Sequence, residues 1–287
     1  MLIWKKKIIG LKIPVILFIF MYRGGLILKK LLNSFLIIGL LLSLVSPLSV
    51  FASDLTSENT MEKDYKELMG LIKEKVLDGW SEDQIGELPE VIEFQSKYTE
   101  DEVYQYLNTK VSAFNYNLVE DELENLDLGL NDREIVEFDD GSFVVAETAT
   151  VSEDNSNSVS TFASHSGKPG SKWKTSYKVD FWGVYLAARA KINTSYTVNK
   201  GSIKITDVTK AGTKANAPTT IVVDSLKKVI NNKKTVKSRG SFTKVNGIVI
   251  GGQPIGFSDS FDLTTTLKIT SATNSKVKWT SSSKSSK

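Results

Sequence analysis

Apolar and polar positions alternate in different ways along this chain, and the changes divide it. Residues 31–51 are almost continuously apolar. From Met61 to Leu77 the apolar positions (Met61, Tyr65, Leu68, Met69, Ile72, Val76, Leu77) recur at spacings of three and four. That is the stripe of an amphipathic helix, with Asn59 or Thr60 as its expected cap and Asp78-Gly79 as its end. Ser81-Glu82-Asp83-Gln84 and Thr99-Glu100-Asp101-Glu102 each have the form of a capping box, so each predicts a further helix start. Pro89 limits the first of these.

The period changes after residue 133. Two β-prone runs flank Asp139-Asp140-Gly141-Ser142 and predict a hairpin. Asp139 and Asp140 are read as turn residues rather than as an acid/base pair. From Gly183 the even positions Val184, Leu186, Ala188, Ala190, Ile192, Tyr196 and Val198 are apolar, and the odd ones are mostly polar. This period of two predicts strands with one buried face. Further strands are expected over 202–208, 241–250, 257–270 and 276–280, and 219–230 reads as strand or helix. Asn246-Gly247 reads as a second hairpin signal.

The expected fold class is therefore α+β. An N-terminal signal or hydrophobic segment (1–52) precedes a small acidic, mostly helical region ending in a β-hairpin (53–150). A flexible linker (151–171) leads to a basic antiparallel β domain (172–280), an all-β sandwich or small barrel, followed by a disordered polar tail (281–287).

The N-terminal segment reads as targeting. Lys29-Lys30, the apolar run and Val50-Phe51-Ala52 follow the order of a secretory signal, with cleavage between Ala52 and Ser53. An uncleaved membrane anchor is the alternative, since the run is nearly long enough to span a bilayer. A second apolar run before Met21 makes Met21 the favoured true start.

Charge sharpens the division. The net charge is +3, yet residues 1–52 carry +7, 53–160 carry −21 and 161–287 carry +17. The chain has no cysteine and one histidine. This excludes disulfides and thiolate chemistry and argues against a histidine metal cage. No metal or cofactor is expected. Secretion without disulfides suits a Gram-positive exoprotein.

Candidate chemistry is sparse. His165 lies in the linker, without the positioned partner that a catalytic histidine needs. Asp180, Asp259 and Asp262 are the acids considered for a glycosidase-like pair. Neighbouring Asp127, Asn131 and Asp132 lack calcium-loop spacing. The candidate ligand-binding set is Trp173, Lys174, Tyr177, Lys178, Trp182, Arg189 and Lys191, aromatics interleaved with cations. These aromatics suit a sheet core equally well.

Two functions follow. One is a secreted, non-enzymatic protein whose basic β domain associates with anionic cell-envelope polymers or surfaces. The other is a toxin-like or antimicrobial protein whose acidic segment is a pro-segment masking a membrane-active β domain. Nucleic acid is not an expected partner, and the acidic and basic segments are expected to attract each other.

Overall fold

The structure is a computed structural model. It describes residues 50–114, 119, 122–124, 126–129, 131–153, 164–216, 219–250 and 253–287, with backbone alone for 50–59, 248–250 and 253–257. The chain divides into two units, 1–58 and 59–287. Of the first, only the backbone of 50–58 is described, so most of the expected targeting segment lies outside the described residues. Ala52 and Ser53 fall near the start of helix α1, Val50–Leu77. That helix begins earlier than the expected cap at Asn59 or Thr60, because no proline or glycine lies between Pro47 and Gly70 to stop it.

Two of the other helices begin at the expected capping boxes, and a third, unexpected one opens on Pro89. In α2 (Glu82–Gly86) the Ser81 hydroxyl accepts from the Gln84 amide, and the Gln84 side chain accepts from the Ser81 amide. Thr99 and Glu102 do the same at the start of α4 (Glu100–Lys110). Pro89 occupies the first turn of α3 (Pro89–Lys97), where its missing N–H costs nothing. Helix α1 closes on Gly79, at φ +85°, with the Trp80 amide donating to the Lys75 carbonyl.

The rest of the described chain is mostly strand, in two antiparallel sheets. The first sheet runs β1 (Arg133–Glu137), β2 (Phe143–Ser152), β4 (Ser171–Trp182), β5 (Leu186–Val198) and β6 (Ile203–Thr209), with β7 (Lys214–Ala215) on β5. The second runs β3 (His165–Gly167), β11 (Val277–Ser286), β10 (Gln253–Ala272), β9 (Thr235–Ile250) and β8 (Thr219–Ile230). Their inner faces share a core in which Tyr177, Val179, Phe181, Ala190 and Ile192 of the first meet Phe242, Phe261 and Leu263 of the second. This arrangement is consistent with a β-sandwich.

The helices cover one end of the first sheet's outer face. Tyr65, Met69, Ile72, Leu107 and Phe114 pack there with Phe143, Val145, Trp182 and Leu186. The order of layers is thus helices, first sheet, second sheet.

The structure corrects the expected divisions. Residues 59–287 are one compact unit, and the expected boundary at 150 falls inside β2. That strand lies between β1 and β4 and pairs with β4 over its whole length. Only 154–163 of the expected linker lies outside the described residues. Within the expected linker, 151–152 belong to β2, His165–Gly167 is a strand paired with β11, and Ser171 begins β4. The expected disordered tail is also a strand. Ser281, Ser283 and Ser285 point inward and are buried, and β11 pairs with β10 out to Ser286. The Ser283 hydroxyl finds a buried partner in that of Thr265, 3.1 Å away, whereas that of Ser281 has none. Asn246-Gly247 does not turn the chain. Both residues sit in the ladder opposite Phe257 and Gly256, and Asn246 is buried with its amide donating to the Phe114 carbonyl.

Candidate functional site

Strand β4 alternates strictly. Trp173, Thr175, Tyr177, Val179 and Phe181 point into the core, and Lys172, Lys174, Ser176, Lys178 and Asp180 point outward. In register, Lys178 stands between Glu147 of β2 and Lys191 of β5, and Asp180 opposite Arg189. The pleat therefore gathers the four predicted cations on the first sheet's outer face. Two of them are already engaged. Arg189 donates to Asp180 through Nε at 2.5 Å and Nη2 at 2.7 Å, a fork-on-carboxylate pair that raises the guanidinium pKa further. Lys178 Nζ lies 3.1 Å from Glu147 and 3.4 Å from Asp180.

Lys174 and Lys191 hold no ion pair among the described residues. Burial lowers the Lys191 pKa, and Lys178, Arg189 and Lys174 add to the effect. The loop after β6 lies over Lys191. The Thr213 hydroxyl accepts from the Lys191 amide and donates to its carbonyl, both at 3.0 Å. Gly212, at φ +93°, comes so close that a Cβ there would stand 3.1 Å from Lys191 Cδ. The four predicted cations thus share one face, but paired acids and a loop cover much of it.

The three predicted aromatics are not on that face as ligand contacts. Trp173 and Tyr177 are core residues. Trp182 stacks on Phe143 at 6.0 Å beneath the helices. Interleaving in sequence sends Trp173 and Tyr177 to the face opposite the cations, while Trp182 shares the cations' face but is covered by the helices.

The considered carboxylates are also kept apart. Asp180 is on the outer face of the first sheet and Asp262 on the outer face of the second, paired with Arg239 at 3.1 Å. Asp259 stands opposite Lys244 in the ladder. No group of three or more His, Cys, Asp or Glu is placed to hold a metal among the described residues. Asp140 serves the turn, accepting from the amides of Ser142 and Ser112 at 2.7 and 2.5 Å.

His165 is a core residue rather than a linker residue. It is fully buried, with ring centroids 5.4 Å from Trp173 and 5.3 Å from Trp279. Neither ring nitrogen has a hydrogen-bond partner, and burial lowers its pKa to about 4. Lys244 is buried as well. Its ammonium donates to the carbonyls of Ala113 and Phe114 at 3.0 and 3.1 Å and lies 4.5 Å from the Phe181 ring centroid. Burial lowers its pKa to about 7, against a smaller opposing effect of Asp259.

The denser cationic surface is one that the sequence reading passes over. On the outer face of the second sheet, Lys227 of β8 stands opposite Arg239 of β9, Arg239 opposite Thr264 of β10, and Thr264 opposite Lys284 of β11. The next rows place Lys237 opposite Thr266, and Lys268 opposite Thr235 and Thr280. Lys278 follows on β11. The outward residues of β9 from 235 to 243, of β10 from 260 to 268 and of β11 from 278 to 284 are all Lys, Arg, Ser, Thr or Asp. Exposed apolar side chains near this face, Val222, Val229 and Ile230, belong to the edge strand β8. The cations come from four strands that are far apart in sequence, and only the register brings them together.

No family model matches the chain, and no curated protein does. A solved structure does match, that of a hypothetical protein, lmo2686, from Listeria monocytogenes EGD-e. It is 15% identical, covers 55% of this chain and 100% of its own, and gives a TM-score of 0.22. At that TM-score the likeness carries no argument about fold or function.

Proposed function

We propose that this is a secreted, non-enzymatic protein that associates with anionic polymers or surfaces of a Gram-positive cell envelope through its basic strands. The observation that carries the proposal is the outer face of the second sheet. There Lys227, Lys237, Arg239, Lys268, Lys278 and Lys284 share one face, and the Arg239–Asp262 pair is the one ion pair among the described residues of that face. Such a face attracts polyanions over a range set by the Debye length, about 8–10 Å near physiological salt.

The acidic side chains support an orientation. Helices α1 and α3 present Asp64, Glu67, Glu90 and Glu93 around a groove of about 270 Å³, with Lys97 paired to Asp64 there, and these helices lie on the far side of the first sheet. A negative surface would turn the helices away and draw the second sheet toward it. No helix of the described residues is long and apolar enough to cross a membrane. The masking alternative gains nothing from the sheet order, because β2 of the acidic segment is an interior strand.

Co-sedimentation of the full chain with purified Gram-positive walls over a salt series tests the proposal. Binding at low salt that falls steadily as salt rises is expected. Absent or salt-independent binding overturns it.

A further inference from the structure

We infer that the outer face of the second sheet binds a linear, hydroxyl-bearing polyanion, a polyol-phosphate chain, and not a lipid bilayer. This rests on the envelope-binding reading above and specifies its partner.

The geometry of the face points to an extended ligand. Neighbouring strands lie about 4.8 Å apart, and outward residues on one strand recur about every 6.8 Å. Lys237 and Arg239 on β9, Lys268 on β10, and Lys278 and Lys284 on β11 are therefore spread in steps of about 7–10 Å, comparable with the Debye length of about 8–10 Å. Their potentials overlap into a band over the sheet rather than converging on one point, as a compact ligand would need.

The chemistry of the face narrows the class. Its one fork-shaped cation, Arg239, is engaged with Asp262. Lys237, Lys268, Lys278 and Lys284 hold no ion pair among the described residues, and ammonium groups suit phosphate as point charges. Thr264 is buried and Ser282 already donates to Asp127 at 2.6 Å, but Thr235, Thr266 and Thr280 stand half-buried between the lysines. A hydroxyl both donates and accepts, so these rows complement the hydroxyls of a polyol.

What β9–β11 leave out is equally informative. Interfacial membrane binding inserts apolar side chains between lipids, and the described outward positions from 235 to 243, 260 to 268 and 278 to 284 offer none. Single-stranded nucleic acid is held by stacking on exposed aromatics, whereas Trp173 and Trp279 are in the core.

The test compares the full chain on four probes: purified walls, the same walls after extraction of their phosphate polymers, isolated glycerol-phosphate polymer, and phosphatidylglycerol vesicles. Expected are binding to intact walls and to the isolated polymer, and loss of binding on extraction, with vesicles left unbound. The triple variant Lys237→Glu, Lys268→Glu, Lys284→Glu should bind the polymer at least about tenfold more weakly, since three exposed contacts are reversed. Lys174→Glu, on the first sheet, should bind as wild type. Equal melting temperatures confirm that both variants fold; should the triple variant unfold, the single variant Lys284→Glu takes its place, with a smaller loss expected. Undiminished binding to extracted walls, binding to vesicles as strong as to polymer, or weakening by Lys174→Glu alone overturns the inference and leaves envelope association standing. Failure to bind any of the four probes overturns both.

Discussion

Burial places two side chains of this protein where ordinary changes of pH act on folding. His165 sits between two tryptophans with both ring nitrogens unpartnered, and burial holds its pKa at about 4 against an ordinary 6.5. As pH falls through 6.5 toward 4, the unfolded chain takes up a proton that the folded chain refuses, so stability falls. The loss is bounded at about 3 kcal/mol. Lys244 works at the other end of the scale. Its pKa is about 7 in the fold against an ordinary 10.5. From pH 7 to 10 the unfolded chain holds the extra proton, so stability rises with pH. Urea denaturation from pH 4 to 10 should show both limbs. His165→Phe should remove the acid-side loss and keep the alkaline rise, whereas Lys244→Met should do the reverse. A wild-type profile that is flat in both windows would contradict the burial of both groups.

Strand β11 carries a prediction of its own. A disordered tail would be dispensable, but residues 281–286 close the second sheet. Ser283 exchanges backbone hydrogen bonds with Leu128 at 3.0 and 2.9 Å, and its hydroxyl meets that of Thr265. Deleting 281–287 exposes the edge of β10 and removes these partners, so the midpoint of thermal unfolding should drop by several degrees or more, at roughly 1 kcal/mol per lost buried hydrogen bond. A deletion that melts with wild type would restore the tail reading. The same strand shows why some elements were legible in the sequence and others were not. Ser81, Thr99 and Gly79 act through neighbours three or four residues away, so local sequence was sufficient to find both capping boxes and the end of α1, whereas Pro89, read as a stop, opens α3. The hairpin at Asp139-Asp140-Gly141-Ser142 is equally local. The serines of β11 resemble a solvated tail, because what makes them interior is pairing with Thr265 and Leu128, far away in sequence. Asn246-Gly247 has the letters of a turn, but the Phe114 carbonyl holds the asparagine in place. In β4 the alternation of Lys172, Lys174, Ser176 and Lys178 with Trp173, Thr175, Tyr177 and Val179 was fully present as a period of two. Taking the aromatics and cations as one ligand set hid the fact that a strand must send them to opposite faces. The cations of the second sheet's outer face were the least legible, because four strands contribute to them and no local pattern carries the register.

At the scale of the whole molecule, the opposed charges of the two halves have a different meaning from the one that segregation in sequence suggests. An acidic segment of −21 followed by a basic one of +17 invites the picture of a mask and a masked domain joined by a cleavable linker. In the fold, the acidic segment supplies β1 and β2 to the first sheet, and Val144 and Ala146 of β2 lie in the core shared by the two sheets. Ion pairs and hydrogen bonds tie the halves together as well, through Lys214 with Glu82, Lys178 with Glu147, and the buried Lys244 with the Ala113 and Phe114 carbonyls. Cutting the chain between 154 and 163 breaks one covalent link and none of these contacts. β2 pairs with β4 from Phe143–Trp182 through Ser152–Trp173, and withdrawing it would leave an unpaired edge and an open core, at a cost comparable with the whole stability of a domain, about 5–15 kcal/mol. A protease site inserted in 154–163 should therefore yield a nicked protein whose two pieces elute together in gel filtration and separate only in denaturant. The nicked protein should bind purified walls with the affinity of the intact chain. Dissociation of the pieces under native conditions, with release of a fragment that permeabilises anionic vesicles, would instead establish the masked toxin. Co-elution with unchanged wall binding would leave the charge segregation as a property of one folded unit, with acidic helices on one side and a cationic sheet face on the other.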